Sequence, residues 1–151
     1  MTALDVLSLD AIREGDELAP FSLALTLQRL VMEAGANRDF APIHHDQQIA
    51  RGAGAAEPFA NVMLIQAVFE AMLRRWMGLD GRLRKLAVNM RSFAAAGTTL
   101  SGHARVTAKR FANGGGLVDL DLWTESGGTR AAIGTATVWL PITPISPAEH
   151  G

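Results

Sequence analysis

Asp39 and His44 stand five positions apart in the stretch Arg38-Asp39-Phe40-Ala41-Pro42-Ile43-His44-His45-Asp46, with Pro42 between them. A carboxylate and an imidazole aimed at one point can take a proton from a water and deliver one to a carbon. That is the division of labour in general acid–base catalysis. Pro42 lacks an N–H and biases Ala41 away from helical geometry, so the segment reads as an extended, rigid loop. Such a loop can present both side chains to one cleft. The same residues also suit a plainer role, in which Asp39 caps a turn, Asp46 caps a helix and the histidines are loop surface. A metal reading of His44, His45 and Asp46 is weak, because adjacent side chains seldom reach one ion and no third histidine lies at ligand spacing. No metal site is expected.

The element that must position this loop follows it. Val62, Ile65, Phe69, Met72 and Trp76 recur at helical spacing, and Met63, Leu64, Val68 and Leu73 fill most remaining directions. Gln66, Glu70 and Arg74 form a narrow polar stripe, with Glu70 and Arg74 spaced for a helical ion pair. The pattern predicts a helix over 61–77, about 25 Å long, buried on nearly all sides. Its polar interruptions exclude a membrane span. Asn61 reads as the N-cap, a role compatible with touching a substrate.

The loop residues Asp39, Pro42, His44 and Asp46, followed by Pro58-Phe-Ala-Asn61-Val62-Met63-Leu64, resemble the MaoC-like dehydratases, the (R)-specific enoyl-CoA hydratases of the hotdog fold. Within that family, Arg38-Asp39-Phe40, His44-His45-Asp46 and Phe59-Ala60-Asn61 are most similar to small catalytic subunits of heteromeric steroid side-chain dehydratases. Ala41 stands where the family has Asn, and Asn61-Val62 where it has His-Gly. The resemblance implies an α+β hotdog fold, an antiparallel sheet of about five to six strands wrapped around one long buried helix. It implies that Asp39 and His44 handle the water in reversible hydration of a trans-2-enoyl thioester. It puts Asn61, Val62, Met63 and Pro42 against the substrate, with an N–H of Val62 or Met63 available to the thioester oxygen. It further implies an acyl-CoA substrate, no cofactor, and assembly as a homodimer or as a heteromer with another hotdog subunit. Two other roles share this plan: a hotdog acyl-CoA thioesterase with a carboxylate base, and a subunit paired with a non-catalytic partner.

Composition narrows the remaining classes. The chain has 151 residues, of which 48% are apolar, enough for one domain with a sizeable core. The expected domain spans 1–151, with an N-terminal arm over 1–15 carrying one short strand and a flexible tail over 142–151. A net charge of −1 gives no electrostatic case for nucleic acid or an anionic membrane. The absence of cysteine excludes disulfides, thiolate catalysis and zinc–sulfur sites. The first residues lack the basic and apolar regions of a secretory signal, so a cytoplasmic location is expected.

Other elements follow from local pattern. Phe21, Leu23 and Leu25 alternate as in a half-buried strand, and Thr26 suits the N-cap of a helix burying Leu27, Leu30, Val31 and Ala34. Asp46 suits the cap of a short helix over Gln47–Arg51. After Gly78, strand-like runs at 82–95, 99–111, 117–125 and 130–140 are separated by glycine-rich turns. A sheet of this size leaves an open edge that suits a subunit seam. Arg91, Lys109, Arg110 and Arg130 are candidate partners for CoA phosphates or simply solvated surface, and His103 and His150 read as structural or surface residues.

Overall fold

The computed structural model describes residues 9–112 and 114–142. Five antiparallel strands, β1 (Phe21–Ala24), β2 (Arg82–Met90), β3 (Thr99–Ala112), β4 (Gly115–Ser126) and β5 (Thr129–Pro141), form one sheet in the order β1-β3-β4-β5-β2. Alternation sets its two faces. In β4, Val118, Leu120 and Leu122 are buried while Asp119 and Asp121 face away from the core. The register carries this across the sheet, so that Val106, Leu120, Ala136 and Leu86 form one inner row. This is the arrangement expected from the sequence.

Helix α3 (Val62–Met77) lies against that inner face and buries Leu64, Ile65, Val68, Phe69, Met72, Leu73 and Met77. Each such side chain contributes roughly 1.5–3 kcal/mol on leaving water. A close approach to β3 depends on Gly102, where a Cβ would meet Val68 Cγ1 at 2.8 Å. The helix is not buried on nearly all sides, however. Val62 and Met63 are 41% and 47% exposed, and Ala67 and Arg74 continue an open stripe along the far side. The reason is geometric: the sheet curls around one side of the helix, and no described segment covers the other. Glu70 and Arg74 form the expected ion pair at 3.3 Å.

Helix α1 (Leu27–Ala36) is capped by Thr26 Oγ1, which accepts from the N–H of Arg29 at 3.1 Å. It buries Leu30 and Ala34, but Leu27 and Val31 remain 47% and 46% exposed. It rests on a single i, i+4 line rather than on the broader face its apolar residues suggest. Helix α2 (Gln47–Gly52) starts as expected at Asp46, whose Oδ1 accepts from the N–H of Ile49 at 3.0 Å.

Strand β2 ends at Met90 rather than running on to 95. The N–H groups of Arg91 and Ser92 both converge on the carbonyl of Ala131, at 2.8 and 3.1 Å, which takes the chain off the ladder. The released segment pairs instead with the approach to α3, through Ala60 N–H to Ala94 O at 2.9 Å and Ala96 N–H to Pro58 O at 2.8 Å. The expected arm also differs. Its described part, from residue 9, holds a 3₁₀ turn over Leu9–Ala11 and no strand, and it buries Leu9 and Ile12 in the core. Lys109 Nζ fastens it by donating to the carbonyls of Leu9 and Ile12 at 3.0 and 2.8 Å. Lys109 is therefore a structural tie, not a solvated cation. Residues 1–8, and the tail from 143 including His150, lie outside the described residues. Among the described residues no helix is long and apolar enough to cross a membrane.

The contact between Gly102 and Val68 gives a direct test. Val68 is β-branched and stiff, so it cannot swing aside. Gly102→Ala is expected to cost about 1–3 kcal/mol by overpacking. Urea unfolding should show this as a lower midpoint at unchanged slope.

Candidate active site

The site begins with how α1 ends. The N–H of Arg38 bonds the carbonyl of Gly35 at 3.1 Å, and the N–H of Asp39 bonds the carbonyl of Ala34 at 2.9 Å. These two bonds make a Schellman closure. Its left-handed position is held by Arg38, with φ of 57°, where glycine is usual. For a residue with a Cβ that conformation costs roughly 1–2 kcal/mol. The closure turns the chain back sharply and presents Asp39. Ala41 is extended, with φ −60° and ψ 123°, as Pro42 requires. From Pro42 the loop is not extended as expected: Pro42–His44 closes into one 3₁₀ turn, with the fixed φ of Pro42 suited to its first position. That turn brings His44 back toward Asp39.

The imidazole of His44 is buried, 5% exposed, and both ring nitrogens are engaged. Nδ1 lies 2.7 Å from the carbonyl of Phe59, which can only accept, so Nδ1 carries a proton. Nε2 lies 3.1 Å from Asp39 Oδ2. Nε2 is therefore the nitrogen that faces the carboxylate and the cavity. The ring of Phe59 packs edge-on to His44 at 5.6 Å and limits its rotation.

Asn61 joins this pair to α3. Its Oδ1 accepts from the N–H of Leu64 at 3.0 Å, the expected N-cap, while its Nδ2 donates to Asp39 Oδ2 at 2.9 Å. Asn61 is thus a cap and a site residue at once. Its amide is the main cause that holds the Asp39 carboxyl below the usual carboxylate range; the Ala41 N–H and the His44 charge add to it, against the opposing effect of burial. Asp39 Oδ1 has only a long contact, 3.4 Å, from the N–H of Ala41, and so keeps accepting capacity for a water.

Asp39, His44, Asn61 and Val62 share the wall of a cavity of about 580 Å³ with Phe59, Met90 and Phe93. Pro42 and Met63, also expected at the substrate, lie outside that wall; Pro42 starts the turn and Met63 is half-exposed on α3. Of the candidate phosphate partners, Arg91 reaches the cavity, Arg110 pairs with Asp119, and Arg130 lies over Trp123 on the outer sheet face at 5.3 Å. His103 stacks on the same Trp123 at 5.4 Å, in keeping with a structural role. His45 is exposed and Asp46 caps α2, so neither joins His44 at one point. Sequence reasoning missed Glu33, on the last turns of α1. Its carboxylate accepts from Asn37 Nδ2, and burial is the main cause that raises its carboxyl above the ordinary value. Its position six residues before Asp39 carries no periodic signal across the intervening turn.

No family model matches this sequence, and no curated protein sequence matches it significantly. Solved structures do. The MaoC-like dehydratase from Rhodospirillum rubrum superposes with a TM-score of 0.79 at 19% identity, covering 92% of this chain and 99% of that one. The (R)-hydratase from A. caviae involved in PHA biosynthesis gives 0.77 at 22% identity, over 87% and 98%. A chain of the ChsH1–ChsH2 complex from Mycobacterium tuberculosis gives 0.75 at 20% identity, over 85% and 98%. At these identities the likeness concerns the fold, and the fold is the hotdog fold.

The double role of Asn61 predicts a double loss. Asn61→Leu removes the cap, worth about 0.5–2 kcal/mol, and also the main donor to Asp39. The melting temperature should fall. The Asp39 carboxyl, followed by NMR, should titrate at higher pH than in the parent protein. Asn61→Ser should keep most of the stability, since a hydroxyl caps well, but should share the upward titration shift.

Proposed function

We propose that this chain is a MaoC-like (R)-specific enoyl-CoA hydratase, or 3-hydroxyacyl-CoA dehydratase in the reverse direction. The observation that carries the reading is the Asp39–His44 pair, closed at 3.1 Å in a cavity wall beside the N-terminus of α3. The names of the structural neighbours, (R)-hydratase and MaoC-like dehydratase, support the same reaction class.

The chemistry divides between the two side chains. Asp39, held ionised by Asn61, accepts a proton from water as the water oxygen bonds to Cβ of the enoyl thioester. The π electrons move to Cα, which takes the Nε2 proton of His44. Transfer from the Asp39 carboxyl to His44 Nε2 then restores the starting state. Negative charge gathers on the thioester oxygen in between. The first N–H groups of a helix have no intrahelical acceptor, and Val62 lies in the cavity wall, so its N–H suits that oxygen. No step calls for a cofactor.

The acyl group enters past Phe59, Val62, Met90 and Phe93, an apolar mouth suited to a hydrocarbon. The open stripe of α3 and the edge strands β1 and β2 suit assembly with a second hotdog subunit, identical or different. Two of the neighbouring structures, ChsH1–ChsH2 and the HadBC complex, are complexes of unlike subunits. A thioesterase reading is kept separate by one assay: a saturated acyl-CoA should release no free thiol.

Two outcomes test the proposal. In sedimentation equilibrium at micromolar concentration the protein should exceed its 16.1 kDa chain mass; a lone monomer would refute the assembly. In hydration of crotonyl-CoA and of a steroid enoyl-CoA, Asp39→Asn and His44→Gln should each lose about 10²–10⁴-fold in turnover. The double variant should be little worse than the poorer single, because groups acting on one water are not additive. Full activity in Asp39→Asn would return Asp39 to a turn cap and end the hydratase reading.

A further inference from the structure

We propose that the outer sheet face at the start of β2 is a binding site for a nucleoside phosphate, with Arg82, Arg84 and Lys85 on the phosphates and Trp139 under the base. The inference does not depend on the hydratase reading. It starts from an irregularity in one strand. Strict alternation would turn Lys85 inward beside Leu83, but Leu83 pairs with Val138 and Lys85 with Thr137, so Arg84 is one residue extra. Such a bulge re-aims the side chains around it. Arg82, Arg84 and Lys85 are all exposed, while Leu83, Leu86 and Val88 pack against the core. Three cations are thereby gathered on one face.

The neighbouring strands supply the other half. Trp139 pairs with Arg82 on one side and Leu117 on the other, and Thr137 pairs with Lys85. The indole rests over Gly115, where a Cβ would come within 2.6 Å of its Cε2 and Cζ2, so a bare glycine is what leaves it room. Its Nε1 donates to the carbonyl of Ala112 at 3.4 Å. The ring is thus held in place before any ligand arrives. Together these side chains line a cleft of about 470 Å³. Small-molecule sites run from about 300 to 1,000 Å³.

Charge selects the ligand. Asp119, the carboxylate in the next row of the sheet, is engaged by Arg110 and by Thr137 Oγ1. Arg82, Arg84 and Lys85 have no ion-pair partner among the described residues. Around Trp123, on the same face, Arg105 is by contrast already paired with Glu17. Like charges gathered this closely repel one another, and a bound anion relieves that cost. Arginine forks match phosphate oxygens, and an indole stacks on any base. The cleft lies at the opposite end of β2 from Met90 and the Asp39–His44 cavity, about 26 Å along the strand. Edge pairing of β2 with another subunit would leave this outer face open.

The indole N–H signals provide the test, with Trp139→Phe assigning that of Trp139. Titration of the full chain with adenosine 3′,5′-bisphosphate should move the Trp139 signal and leave those of Trp76 and Trp123 in place. Arg84→Gln and Lys85→Gln, both at exposed positions, should each weaken binding about tenfold. Added salt should weaken it in the parent protein. Arg130→Gln, at the other end of the same face, should not change it. ADP and CoA separate the sources of such a ligand. ADP binding as well as the bisphosphate marks a free nucleotide, whereas CoA binding more tightly than ADP, with the same Trp139 shift, marks the head of that coenzyme; either sustains the proposal. No shift at Trp139 in millimolar nucleotide, or unchanged affinity in a folded Arg84→Gln/Lys85→Gln double variant, overturns it. Inorganic phosphate binding as tightly as the bisphosphate removes the role of Trp139 and overturns the nucleoside assignment.

Discussion

Everything in the site depends on one amide. Asn61 ends a loop, starts α3 and grips Asp39, and it does so with opposite ends of a planar group. The helix N–H fixes which end is the oxygen. The carboxylate receives the nitrogen as a consequence. Cap and carboxylate partner are therefore not independent features that happen to adjoin. The stability of a buried helix against the sheet is converted into the orientation of a side chain, which is what a pre-organised site needs.

A second constraint works from the other flank. The end of α1 closes through Arg38 in a left-handed conformation that glycine would adopt at lower cost. Strain of this kind persists only where surrounding bonds over-determine it, and here two closing hydrogen bonds and the Asp39 contacts do so. Between the two flanks, Pro42 makes the return turn and His44 completes it, tied by Nδ1 to the strand-like approach of α3. The same approach pairs with the segment released from β2, so the sheet, the loop and the helix meet around one cavity. No single element owns the site, yet each is anchored to the core within a few residues of it.

The core itself is asymmetric. Seven side chains of α3 are buried against the sheet, while its opposite side shows Val62, Met63, Ala67 and Arg74. A mixed stripe of this kind is costly to leave open at its apolar end. Its polar end, with the Glu70–Arg74 pair, is at ease in water.

The sequence by itself determined the architecture and singled out Asp39 and His44 as a pair. Period-two alternation named the strands, a long apolar run named the helix, and three caps, at Thr26, Asp46 and Asn61, were each legible from a polar side chain ahead of a periodic segment. These signals are local, because hydrogen bonds to the next turn and burial of one face are decided within a few residues. Asp39 and His44 were legible for the same reason, through the proline between them. Tertiary structure alone decided the rest. It put Phe59 beneath His44 to choose the ring's proton and set the Asn61 amide on Asp39. It exposed Leu27, Val31, Val62 and Met63, which pattern had assigned to buried faces. Periodicity tells which residues share a face, but what covers that face is fixed by elements distant in the chain, and here a single curled sheet covers only one side.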